Sequence, residues 1–212
     1  AETAIFNTGA IFRWFKEQFY PELKDHKSPY TVMTSEAEQI PLGSNGVILL
    51  PHFEGSAAPY WNPMAKGIFF NLGLGTKRAA MTRAIMEGIA LEISQNLALM
   101  RNMIGDINEL SVAGGMVRSD LFCTLQADTT NATVVRYSTA EATALGAAIN
   151  AWVTLGVYKT HEDALKVVGG DPEYFYPDRN NAKILDAVRT RKEALYDALD
   201  KEGVYEKFMF KG

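Results

Sequence analysis

Apolar residues along this chain alternate between strand-like runs and helical stripes. Thr3-Ala4-Ile5-Phe6 reads as a strand that runs through Gly9 into a helix over 10–19, where Ile11, Trp14, Phe15 and Phe19 share one face and Pro21 closes the segment. From Lys24 to Asn45 the chain is polar, carries Pro29 and Pro41, and reads as a surface excursion. Val47-Ile48-Leu49-Leu50, ended by Pro51, is a buried strand, and Gly67 to Leu72 is a second one that stops at Gly73 and Gly75. The clearest helix follows from about Thr76, with Met81, Ile85, Ile89, Ile93 and Leu97 repeating every fourth residue. Leu110-Ser111-Val112-Ala113 forms a strand that meets Gly114-Gly115, and a helix over 119–129 carries Leu121, Phe122 and Leu125. Thr133-Val134-Val135 is a further short strand. The helix expected over 141–155 is dense in small residues that allow close packing of backbones, and Ile184, Val188, Leu195 and Leu199 set the inner face of a long final helix.

Strands alternating with helices predict an α/β domain, a central mixed sheet flanked by helices. The order strand, strand, helix, strand, helix, strand, helix matches the half-domain of actin-like, ribonuclease H-like ATPases better than a doubly wound dinucleotide fold. The latter wants a helix between every pair of strands. One domain over 1–212 is expected, with 160–212 as its helical extension.

Composition narrows the function. The chain has 212 residues, 47% hydrophobic and 22% charged, which is ordinary for a globular domain and sufficient for a core without metals or disulfides. A single cysteine, Cys123, and three scattered histidines leave little from which to build a zinc site. The net charge of −4, without long runs of like charge, argues against a nucleic-acid surface. No apolar run approaches the roughly 18 residues of a membrane span, so a cytoplasmic protein is expected. Composition leaves homo-oligomerisation open.

Two places have the form strand, glycine turn, helix: Phe70 to Thr76 with Gly73 and Gly75, and Val112 to Ser119 with Gly114 and Gly115. Helix N-termini present unpaired N–H groups and a partial positive charge, and glycine lets a phosphate approach the backbone. Taken alone, either site is more often explained by simple turn geometry. Neither is a P-loop or a dinucleotide fingerprint.

The motif series carries a resemblance. Pro51-His52-Phe53-Glu54-Gly55 with Ala58-Pro59-Tyr60-Trp61, then Lys66-Gly67, Leu74-Gly75, Arg83-Ala84 and Glu87-Gly88-Ile89-Ala90 resemble the C-terminal domain of the FGGY carbohydrate kinases. So do Gly114-Gly115, Ser119, Gln126-Ala127-Asp128 and the run Glu141 to Ala148. The similarity implies an ATP-dependent kinase of sugars or polyols, of the glycerol, pentulose or gluconate class, related in architecture to actin and hexokinase, with Mg2+ and ATP in a cleft between two domains. By position, Gly75 matches a glycine that contacts ATP phosphates, and Gly114 and Gly115 match the glycines of the nucleotide site. Ser119 stands where the family places an adenine-side polar residue, commonly Asn. The family's Gly-Asp-Gln segment, which carries the general-base aspartate, has no counterpart here: neither Gly105-Asp106-Ile107 nor Gly170-Asp171-Pro172 matches it. By this resemblance the chain reads as a fragment lacking the N-terminal domain of the same polypeptide, with no catalytic residue of its own and no activity alone. The alternative is a non-catalytic nucleotide-binding or interaction module on the same fold.

Other residues invite blander readings. His52 and Glu54 suit a loop closing over a sheet edge. Trp61, Tyr60 and Phe53 read as a loop anchor, Asp128 as a solvated helix end before a Mg2+ ligand, Lys77 and Arg78 as solvent-facing, and Cys123 as an inert buried thiol. Glu141 and Thr143 fit an N-terminal cap.

Overall fold

A computed structural model describes residues 5, 7–137 and 142–207. The strand expected over Thr3 to Phe6 and the cap expected at Glu141 lie outside the described residues. Helix α1 (Gly9–Phe19) buries Ile11, Phe12 and Phe15 on one face. The segment expected as a polar excursion contains a second helix, α2 (Pro29–Glu38). Proline at its first turn is pre-set for helix, and Met33 and Ala37, one turn apart, fasten it to the core.

Strands β1 (Ile48–Leu50) and β2 (Ile68–Phe70) pair antiparallel, Ile48 opposite Phe70. They lead into α3 (Arg78–Ile104), about 40 Å long at 1.5 Å per residue. Between Thr82 and Leu97 this helix is buried on nearly every side, as expected of the central strut of a layered domain. Gly88 permits that: a Cβ there would lie 3.1 Å from both the Cβ and the carbonyl oxygen of Leu49, so α3 and β1 approach backbone to backbone. Its inward charges are paired. Arg83 Nε donates to Glu87 at 2.9 Å, and Glu87 also accepts from Gly43 N and Ser44 Oγ.

A three-stranded sheet follows, β3 (Glu109–Val112), β4 (Thr133–Tyr137) and β5 (Pro172–Phe175), in that order, parallel and then antiparallel. The expected central mixed sheet is thus divided, among the described residues, into a two-stranded and a three-stranded piece. Strand β5 also shows that the segment after 160 is not purely helical. Helix α4 (Asp120–Thr130) lies between α3 and this sheet. Helix α5 (Ala142–Thr154) meets α6 (His161–Val168), and of its side chains only Ile149 is buried. Its small residues, expected to pack closely, are largely exposed. Helix α7 (Arg179–Lys201) buries Leu185, Val188, Lys192 and Tyr196, and a short α8 (Val204–Lys207) follows. Of the expected stripe Val188 is buried, Leu195 and Leu199 pack partly buried against the core, and Ile184 is half exposed. No helix among the described residues is long and apolar enough to cross a membrane.

A buried polar cluster ties α7 to α3 and to the loop after β1. Lys192 Nζ donates to Glu92 Oε2 at 2.5 Å and to Gln95 Oε1 at 3.0 Å, and His52 Nε2 lies 3.3 Å from Glu92 Oε1. Tyr60 stacks on Tyr196 beside it, ring centroids 3.7 Å apart. The loop Pro51 to Trp61 is therefore anchored to the core as expected, although Trp61 itself is exposed. Cys123 is fully buried, and burial pushes its thiol up to about 11. At pH 8 a thiol of that acidity is only about 0.1% thiolate. Native protein mixed with Ellman's reagent at pH 8 should release almost no chromophore within minutes, and denatured protein one equivalent.

Candidate functional site

Strand β3 delivers the chain to Ala113-Gly114-Gly115, where Gly114 takes φ +109°, a conformation that favours glycine. One tight turn, Met116–Arg118, leads to Ser119, which caps α4 by accepting from Phe122 N at 3.3 Å. A cleft of about 830 Å³ opens at this point, within the usual size of small-molecule sites. Gly114, Gly115 and Ser119 form one wall. The opposite wall is made by the beginnings of two other helices, Thr8 and Gly9 of α1 and Ser28 and Pro29 of α2. Neither of those helices is capped by a side chain.

The first turns of three separate helices thus line one space, each bringing the positive end of its dipole. In α2, however, Pro29 has no N–H and Ser28 N donates to His26 Nδ1, which leaves Tyr30 and Thr31 as its donors. The charged side chains of the lining are Arg13, Lys27 and Arg118, all basic, in a chain whose net charge is −4. Such a lining favours a polyanion. A Cβ added at Gly115 would meet nothing within 4 Å, so packing does not require glycine there, whereas at Gly114 the backbone conformation itself does.

Of the residues singled out in the sequence, Gly114, Gly115 and Ser119 come together, and Gly75 does not join them. Gly75 lies in an exposed turn outside the cleft lining, closed by Gly73 N donating to Thr76 Oγ1 at 2.9 Å. A side chain at Gly75 would likewise meet nothing within 4 Å. Lys77 sits exposed at the N-cap of α3, and Arg78, although its side chain is 37% exposed, is engaged on its other side. It donates to Glu36 and Glu22, and its guanidinium lies 3.9 Å from the centre of the Tyr20 ring, so it joins α3 to α2 and the turn after α1.

Asp128 departs from both readings made of it. It is buried, accepts from Asp178 N at 2.7 Å and from Asn181 Nδ2 at 2.9 Å, and thereby holds the first turn of α7. Burial pushes its carboxyl above the ordinary range despite those hydrogen bonds. Asp128→Ala strands the Asp178 amide and should cost about 1–3 kcal/mol. Urea denaturation should show the midpoint fall without a change in slope.

Sequence reading did not find Arg13 or Lys27, and it met Gln126 only within the Gln126-Ala127-Asp128 motif, with no role in the site. Arg13 stands four residues after Gly9, one turn into α1, and Gln126 stands seven after Ser119 on the same face of α4. That spacing was the available signal, but the facing walls come from segments about 100 residues apart in sequence.

Comparison with known proteins agrees with this architecture. The crystal structure of xylulose kinase from Rhodospirillum rubrum matches with a TM-score of 0.81 over 95% of this chain and 40% of that one, at 24% identity. The fold is thus the actin-like ATPase fold of carbohydrate kinases. Residues 1–155 match the family model described as "FGGY family of carbohydrate kinases, C-terminal domain", and the chain belongs to that family. A glycerol kinase of Saccharolobus islandicus (strain M.14.25 / Kamchatka #1) is 31% identical over 200 residues, which are 93% of this chain and 38% of that protein. A gluconokinase of Bacillus licheniformis is 33% identical over 189 residues, 84% of this chain and 36% of that protein. The chain spans well under half the length of these relatives.

Proposed function

We propose that this chain is the nucleotide-binding half of an ATP-dependent kinase that transfers the γ-phosphoryl group to a hydroxyl of a sugar or polyol. The observation that carries the reading is the cleft at Gly114-Gly115, where helix N-termini and basic side chains surround a space that glycine leaves open. A nucleoside triphosphate fits it: the glycines admit close approach of ribose and phosphate, and the N–H groups and Arg13, Lys27 and Arg118 balance the charge. Gly75, ahead of the uncapped start of α3, is the proposed further phosphate contact, presented toward a second domain.

Mg2+ would neutralise charge on the transferred group. The cleft lining holds no carboxylate to ligate it, so this chain's share of charge stabilisation falls to backbone donors and the three basic residues. On this reading the base for the attacking hydroxyl belongs to the N-terminal domain of the longer polypeptide, as in the family the chain resembles, and closure of that domain would expel water. The relatives' names support glycerol or gluconate as acceptor, with a pentulose as the third class, and a cytoplasmic setting supplies ATP.

The test is a phosphorylation assay with glycerol, xylulose and gluconate. The chain joined to its N-terminal domain should phosphorylate one of them, and the chain alone none. Transfer by the chain alone would overturn the division of roles. In the joined protein, Gly75→Ala should lower kcat more than it raises the KM for ATP, with an unchanged melting temperature, because nothing in the chain's own packing requires glycine there. Loss of stability with full kcat would make Gly75 a turn residue only.

A further inference from the structure

Gln126 is 3% exposed and lines the cleft, yet its side-chain Nε2 has no hydrogen-bond partner among the described residues. Buried amide groups are nearly always paired, and leaving one unpaired costs as much as losing a hydrogen bond. The two threonines that follow it do not help, since Thr129 and Thr130 bond to its backbone carbonyl. On α4, Ser119, Phe122 and Gln126 occupy positions i, i+3 and i+7 and all line the same space. Gln126 thus lies about 10 Å further along the helix than Ser119. Gly114, Gly115 and the three basic residues are exposed at the mouth, whereas Gln126 is buried at the inner end.

A ligand whose anionic part is held at the mouth sends its uncharged part inward, toward this amide. We propose that Gln126 is the base-reading residue of the site, its carboxamide meeting the edge of a purine. This rests on the nucleotide-binding reading above. A carboxamide offers one donor beside one acceptor, the complement of adenine N7 and N6–H, whereas guanine presents two acceptors, N7 and O6, along the same edge. Gln126 therefore favours ATP over GTP. Ser119 contributes less to that choice, because its hydroxyl oxygen is engaged by Phe122 N.

The experiment titrates the 212-residue chain with ATP, GTP and inorganic tripolyphosphate by calorimetry, as wild type, Gln126→Met and Gln126→Glu, with melting temperatures recorded for each. Methionine keeps the length without the polar pair, and Gln126→Glu keeps acceptors and loses the donor if the first variant folds poorly. The expected result is an ATP Kd raised about tenfold or more in both variants, a collapsed preference for ATP over GTP, and an unchanged tripolyphosphate Kd. Wild-type protein that binds ATP while the variants keep its ATP-to-GTP ratio would overturn this assignment and leave the nucleotide-binding reading intact. Wild-type protein that binds none of the three probes would overturn that reading and this assignment together.

Discussion

Lys192→Met should lower the melting temperature by about 10 °C, the largest effect on stability expected of any single polar substitution in this chain. Lys192 and Glu92 are 1% and 2% exposed, and their contact joins α7 to the central helix. Removing Lys192 leaves the buried Glu92 charge with only its contact to His52 among the described residues, and breaking such a buried pair costs about 3–5 kcal/mol. For a domain of this size each kcal/mol moves the midpoint by about 2–4 °C.

The pH dependence carries the sign of the effect. Burial alone would raise the Glu92 carboxyl, but the hydrogen bond to His52 and the charge of Lys192 outweigh it and hold the carboxyl below its ordinary 4.5. A depressed acid stabilises the fold above its unfolded value, and that contribution is lost as pH falls through the folded value. In Lys192→Met burial dominates, the carboxyl rises above 4.5, and the variant gains stability on acidification from neutral pH. The gap between wild type and variant should therefore narrow below about pH 5. A gap that stays constant from pH 7 to pH 4 would show that the pair contributes packing and not charge.

Gly115→Val should raise the ATP Kd by an order of magnitude or more while the melting temperature stays within about 2 °C of wild type. Gly115 has φ −63° and ψ −40°, which any L-residue adopts, and a Cβ added there meets no neighbour within 4 Å. The space it enters is the space the nucleotide needs. Gly114→Val is the less informative variant, because φ +109° there strains any side chain and stability falls together with binding. Unchanged ATP affinity in Gly115→Val would move the nucleotide out of this cleft.

Much of this was legible in the sequence where one segment supplied its own signal. The fourth-residue repeat from Met81 to Leu97 announced α3, and Val112 running into Gly114-Gly115 ahead of Ser119 announced the turn at the cleft. Helix α2 was hidden because most of its surface is polar and only Met33 and Ala37 are buried. Strand β5 was hidden because Pro172 to Phe175 is short and largely exposed, and takes its conformation from pairing with β4. The opposite wall of the cleft escaped for a related reason. Thr8 and Ser28 become part of a site only when α1 and α2 fold against α3, so no local pattern marks them. Asp128 looked like a free helix end because its partners, Asp178 and Asn181, lie 50 and 53 residues away.

The central claim is that ATP occupies the cleft between the starts of α1, α2 and α4. Photo-crosslinking with 8-azido-ATP followed by peptide mass spectrometry tests it most directly. Labelling competed by unmodified ATP should fall on peptides spanning 8–34 and 111–126. ATP-competed labelling confined to α7, or to the loop between β1 and β2, would contradict the account.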